Sequence, residues 1–132
     1  MLVSTKGRYA LKLAIALRDR GARMPLREVT ELTGIPVKYL EQIAPSLLHA
    51  GLISGSRGAG GGYELAREAD KITAGEILRA AEGALAPVAC LGGKECDKRA
   101  SCVTRGFFEG MDKAVNAYAD SVRLSDFPRM EK

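Results

Sequence analysis

The chain has 132 residues, is 46% apolar and carries a net charge of +4, enough for one modest core with an appendage but cramped for two full domains. No apolar run reaches the ~18 residues of a membrane span, and the stretch MLVSTKGRYALKLAIALRDRG has no small-residue cleavage site after its apolar part, so a cytoplasmic protein with no membrane partner is expected. Three cysteines, an odd number in a small unsecreted chain, argue against a disulfide framework and for metal-binding, redox or structural thiols.

Charge is divided unevenly along the chain. Residues 1–67 hold ten Lys/Arg against five Asp/Glu, and residues 68–132 hold ten against eleven. A basic first half facing a polyanion accounts for this, as does ordinary solubilising charge. Tyr9, Leu13 and Leu17 recur at four-residue steps, with Ala10, Ala14 and Ile15 between them, and predict an amphipathic helix over 5–20 closed by Gly21. A short helix over 25–33 follows, with Pro25 in its first turn, Leu26, Val29 and Leu32 on one face and Gly34 at its end. After Gly34-Ile35-Pro36, the apolar positions Val37, Leu40, Ile43, Leu47 and Leu48 mark a third helix ending at Gly51. Two helices joined so tightly read as a helix-turn-helix.

Pro45 lies inside this third helix and cannot donate to the carbonyl of Glu41, so a kink or a split into two pieces is expected. The first turns present Lys38, Tyr39, Glu41 and Gln42, which can reach base edges or phosphates or simply form a solvated face. His49, the only histidine, reads as a surface residue. In LISGSRGAGGGYELA, strands over 52–54 and 63–65 flank a glycine-rich stretch with Arg57 near its tip. The stretch lacks the Lys-Ser/Thr of a P-loop. A hairpin behind a helix-turn-helix is instead the wing of a winged helix, and an arginine at its tip suits a narrow minor groove.

Thr73 and Glu76 form a capping-box pattern opening a helix that Gly83 ends. Residues 84–100 show no period and read as an ordered loop. Over 101–123 the positions Val103, Phe107, Met111, Val115, Tyr118 and Val122 make an apolar stripe on a helix too long for so small a core, so its far end needs a partner. Gly106 and Gly110 each weaken this helix by ~1 kcal/mol, through close approach of another backbone or plain tolerance. All three cysteines fall in CLGGKECDKRASC, with five residues between neighbours: Cys90, Cys96 and Cys102.

Taken together, STKGRYAL, YLEQIAPSLLHAGLISGSRGAGGGYELA, ITAGEILRAAEG and the three cysteines before a long helix resemble the IscR, NsrR, RirA and CymR family of bacterial winged-helix regulators. The resemblance covers nearly the whole chain. It implies a homodimer with crossed C-terminal helices, two wings and an operator of inverted half-sites in double-stranded DNA. It also implies base-edge roles for Tyr39 and Glu41. Some members bind an iron–sulfur cluster through three cysteines placed like Cys90, Cys96 and Cys102, supplied by cluster-donor proteins; CymR-like members lack these cysteines. In IscR-like members a histidine three residues after the last cysteine completes the ligand set, whereas this chain has Arg105 there. Arginine has no lone pair to offer a metal. Candidates for the fourth ligand include a carboxylate such as Glu95, Asp97 or Glu109, solvent or a small molecule, or a residue from a partner's N-terminal helix.

The thiolates themselves are soft donors suited to iron–sulfur centres or zinc, and Lys94, Lys98, Arg99 and Arg105 favour their ionised form. The expected fold is mainly α with a small β-hairpin wing: a winged helix-turn-helix DNA-binding domain over 1–83, a cysteine-containing cluster loop over 84–100, and a long dimerisation helix with its tail over 101–132. The expected function is a DNA-binding transcriptional regulator whose operator affinity follows a 2Fe-2S or 4Fe-4S cluster on the three cysteines. Lys38, Tyr39, Glu41, Gln42 and Arg57 are its candidate contacts, and Ser4, Lys6 and Arg8 its candidate phosphate grips. Gain, loss or oxidation of the cluster would order or free residues 90–102 and shift the two recognition helices, whose spacing must match the ~34–36 Å between successive major grooves. A zinc-bound or thiol-switching winged helix is the alternative. A thiol or sulfur-transfer enzyme using Cys96 or Cys102 lacks a base nearby, because the only histidine lies on the recognition helix.

Overall fold

The structure is a computed structural model and describes residues 3–58, 60–87 and 103–130. Its elements are α1 (Thr5–Arg20), α2 (Leu26–Thr33), α3 (Val37–His49), β1 (Ile53–Ser56), β2 (Gly62–Leu65), α4 (Ala74–Glu82) and α5 (Arg105–Ser121), with short 3-10 turns at Ala69–Lys71 and Leu124–Asp126. The apolar period of α1 buries Ala10, Leu13, Ala14, Ala16 and Leu17. These pack against Val29 of α2 and Leu40, Ile43, Ala44 and Leu47 of α3, with Ile72, Ile77 and Ala81 closing the core from the α4 side. Gly21 ends α1 in the left-handed region at φ 68°, a conformation that glycine adopts without a Cβ penalty.

Three boundaries differ from those expected. Pro25 is the N-cap of α2 rather than part of its first turn. The third helix is not split at Pro45 but runs unbroken over Val37–His49. Pro45 and Glu41 both lie on its exposed side, where water can serve the carbonyl that loses its N–H partner, while Leu40, Ala44 and Leu47 hold the buried side. The long helix stops at Ser121 instead of Arg123 because the chain turns extended at Val122, φ −96° and ψ 121°, and pairs with the start of α4. Val103 precedes the helix in a turn and is 97% exposed.

The hairpin pairs Ile53 with Leu65, Ser54 with Glu64, Gly55 with Tyr63 and Ser56 with Gly62, antiparallel, each strand one residue longer than expected. Strand β2 is fixed to the α1–α2 loop: Met24 N–H donates to the Tyr63 carbonyl at 2.8 Å and Tyr63 N–H to the Met24 carbonyl at 2.9 Å. Gly62 makes this possible, since a Cβ there would lie 2.6 Å from the Met24 oxygen. At α4 the capping box forms as expected, with Thr73 Oγ1 accepting from Glu76 N–H at 3.1 Å and Glu76 Oε1 from Thr73 N–H at 3.2 Å.

Beyond α5 the chain returns to the core. Ala74 N–H donates to the Val122 carbonyl and Leu124 N–H to the Ile72 carbonyl, both at 2.8 Å, and Leu124 is fully buried. Arg18 of α1 clasps this segment, its guanidinium donating to the carbonyls of Leu124 at 2.7 Å, Pro128 at 2.9 Å and Phe127. Beside it, burial pushes the Asp19 carboxyl up, but the Met130 N–H, the Arg18 hydrogen bond and the charges of Arg18 and Arg129 together hold it below its ordinary 3.8. Removing the clasp in Arg18→Ala takes away the hydrogen bonds to all three carbonyls and is expected to lower unfolding free energy by about 2 kcal/mol in urea titration. Because the folded Asp19 value is depressed, its contribution is present above the unfolded value and lost as pH falls below about 4. Asp19→Asn is therefore expected to flatten the acid limb of a stability–pH profile, and an unchanged limb would show that other groups carry it.

Candidate nucleic-acid interface

The exposed edge of α3 comes from its helical period. With Leu40, Ile43, Ala44 and Leu47 turned inward, Lys38, Tyr39, Glu41 and Gln42 are left at the surface of its first two turns. Tyr39 is 52% exposed yet not unsupported. Its ring packs edge-to-face on Tyr9 of α1, with centroids 6.3 Å apart and planes at 60°, an arrangement favoured by the ring quadrupoles. Thr5, Lys6, Tyr9, Tyr39, Gln42 and Ile43 line a shallow groove between the two helices. The structure therefore brings Lys6 together with Tyr39 and Gln42, residues more than thirty positions apart.

The other candidates at the α1 end are engaged in different ways. Ser4 is the N-cap of α1, its Oγ accepting from Gly7 N–H at 3.5 Å, and its own N–H donates to Glu82 of α4. Arg8 Nη2 donates to Thr5 Oγ1 at 3.2 Å, and both Lys6 and Arg8 are exposed. Arg57 is exposed directly after β1, on the wing and apart from the α1–α3 groove.

Reasoning from sequence missed the group that steadies the wing. Arg23, in the α1–α2 loop, donates through Nη1 to Ser56 Oγ at 2.7 Å and through Nη2 to Glu64 Oε1 at 3.1 Å, tying both strands to the loop. Arg23 and Arg27 also line a cleft of about 460 Å³ against Gly58, Gly60 and Gly62. A lone loop arginine carries no periodic or motif signal, so only the fold reveals this.

Cys90, Cys96 and Cys102 lie outside the described residues, as do Glu95 and Asp97. Among the described residues no three His, Cys, Asp or Glu gather as a metal-holding group. Arg105 opens α5 and pairs with Glu109 one turn on, Nε to Oε1 at 2.7 Å, so one oxygen of that candidate ligand is already taken. On α5, Phe107 and Tyr118 are 66% and 72% exposed and Met111 is also at the surface. Tyr118 borders an apolar groove with Leu78, Leu85, Val115, Val122 and Phe127. Arg79 of α4 holds the other side of the helix, pairing Nη1 and Nη2 with the two Asp120 oxygens at 2.8 and 2.9 Å and donating to Asn116 Oδ1 at 2.7 Å. That hydrogen bonding keeps the Asp120 carboxyl below the usual range.

A helix-turn-helix followed by a hairpin that packs back on it defines the winged helix-turn-helix class of DNA-binding folds. The chain belongs to the Rrf2 family of iron-dependent transcriptional regulators, whose family model matches residues 3–129. It is 30% identical over 131 residues to the HTH-type transcriptional regulator IscR of Photobacterium profundum, covering 98% of this chain and 76% of that one. Against IscR of Escherichia coli O1:K1 it is 31% identical over 128 residues, covering 96% and 79%. Among solved structures it is similar to CymR, the global cysteine regulator of B. subtilis, at 36% identity and TM-score 0.79 over 96% of this chain and 95% of that one. It is also similar to T. potens IscR, at 34% identity and TM-score 0.76 over 96% and 85%. The chain is a transcriptional regulator of this family rather than an enzyme, and no helix among its described residues is long and apolar enough to cross a membrane.

Proposed function

We propose that the chain acts as a homodimer on operator DNA and that an iron–sulfur cluster on Cys90, Cys96 and Cys102 sets its affinity. The observation that carries the DNA part is the braced edge of α3: Tyr39 rests on Tyr9, leaving Lys38, Glu41 and Gln42 exposed, with Gln42 in the same groove as Lys6. In this reading Tyr39, Glu41 and Gln42 meet base edges in the major groove, where glutamate accepts from the cytosine amino group and glutamine pairs with adenine. Lys6, Arg8, Lys38 and the N-cap end at Ser4 hold phosphates. Arg57 enters the adjacent minor groove from the wing.

The uncovered stripe of Phe107, Met111 and Tyr118 supports pairing of two α5 helices, since an apolar face of that extent is costly to leave in water. The three thiolates form a soft donor set that suits an iron–sulfur centre, which when bound supplies a group responsive to iron supply and oxidation. With Arg105 engaged by Glu109, the fourth ligand is a weaker donor than histidine: a carboxylate, solvent or a residue of the second protomer. In a second reading the thiols switch or bind zinc without a cluster, since three thiolates and one other donor also suit zinc.

Two measurements test these assignments. Arg57→Ala is expected to weaken operator binding about tenfold at low salt and to reduce the slope of log affinity against log salt by about one; an unchanged slope and affinity would remove Arg57 from the contact set. Protein purified without oxygen is expected to contain iron with acid-labile sulfide, lost on replacing any of the three cysteines by alanine, and its gel-shift affinity is expected to differ about tenfold or more from that of the apo form. Zinc without sulfide, or equal affinities, would select the second reading.

A further inference from the structure

The side chain of Glu82 links the end of α4 to the start of α1. Glu82, the last residue of α4, accepts the N–H of Ser4 with Oε1. Its carboxylate lies so close over the first turn of α1 that a Cβ built at Gly7 would stand 2.7 Å from Glu82 Cδ and 2.9 Å from Oε1. α1 has no acidic residue in its own first turn, so Glu82 supplies the negative charge that a helix N-terminus favours. The segment that carries Glu82 is tied to α5 on either side of it. One turn earlier Arg79 grips Asp120 and Asn116, and just beyond Gly83 the Leu85 carbonyl accepts from Asn116 Nδ2 at 2.8 Å.

The end of α1 fixed in this way is the end that carries Lys6 and Arg8. We propose that Glu82 is a positioning residue for DNA binding: it touches no DNA, and holds the first turn of α1 where Lys6 and Arg8 meet the phosphate backbone. The inference rests on the reading of Lys6 and Arg8 as phosphate contacts given above. It assigns to Glu82 an effect opposite in sign to its charge, because a carboxylate near DNA would by itself only repel.

The opposition of sign makes the test selective. Binding of the full-length, cluster-free protein to a duplex selected from random sequence is followed by fluorescence anisotropy across a salt series. Glu82→Gln removes the charge and keeps an oxygen to accept from Ser4, whereas Glu82→Ala removes both. Glu82→Ala is expected to bind about 5- to 10-fold more weakly than Glu82→Gln, with a salt slope smaller by about one. Gly7→Ala displaces the carboxylate while introducing a better helix former, so it is expected to weaken binding as Glu82→Ala does without lowering the melting temperature. In a Lys6→Ala/Arg8→Ala background, Glu82→Ala is expected to cause no further weakening, as for groups acting in series. Equal binding by the Ala and Gln variants, or an undiminished Glu82→Ala effect in that background, overturns the positioning role. If Lys6→Ala/Arg8→Ala alone leaves binding unchanged, the phosphate reading of α1 falls first and the inference falls with it.

Discussion

Burial of α1 is the constraint around which the molecule is arranged. α2, α3, α4, β2 and the turn after α5 all pack on it, and its inward face alternates Leu13 and Leu17 with Ala10, Ala14 and Ala16. The alanines let neighbouring helices approach closely and the leucines fill the remaining space, in the interlocking of large and small side chains that dense cores need. Such a helix cannot shift without disturbing everything it touches. Its polar N-terminal end and the brace of Tyr9 on Tyr39 are built on that packed helix.

Where local pattern decides the structure, the sequence was readable. The four-residue steps of α1, the tight turn at Gly34-Ile35-Pro36, the Thr73–Glu76 box and the glycine-rich hairpin each act through neighbours in the chain, and each formed. Of the kink or split expected at Pro45, the split did not occur, because the cost of a missing N–H depends on whether the orphaned carbonyl is buried, which period alone does not say. The return of Leu124 to the core and the three carbonyls clasped by Arg18 depend on backbone groups brought together from opposite ends of the chain. A stretch such as LSDFPRM shows no periodicity that announces this.

The same distinction applies to the candidate interface. Lys38, Tyr39, Glu41 and Gln42 could be picked out because they are what a helix leaves outside after its apolar positions are assigned. That Lys6 shares a groove with Tyr39 and Gln42, that Arg23 laces the wing to the α1–α2 loop and that Ser4 faces a carboxylate from α4 are tertiary facts. They also give the charge asymmetry a shape. The cations of the first half are split between those that brace the scaffold, such as Arg18 and Arg23, and those left open, such as Lys6, Lys38 and Arg57.

The anchoring of α5 is lopsided. Asp120, Asn116, Ala119 and the pairing just after Val122 secure one end, while Phe107 and Met111 toward the other end are exposed. A helix of 17 residues is about 25 Å long, so any change of its angle at the α4 contacts is magnified along its length. A turn of about 5° there would move the Arg105 end by about 2 Å, given that length. By the same geometry, a displacement at the Arg105 end corresponds to a small rotation against α4. Packed cores respond to such an input by switching between arrangements rather than by bending.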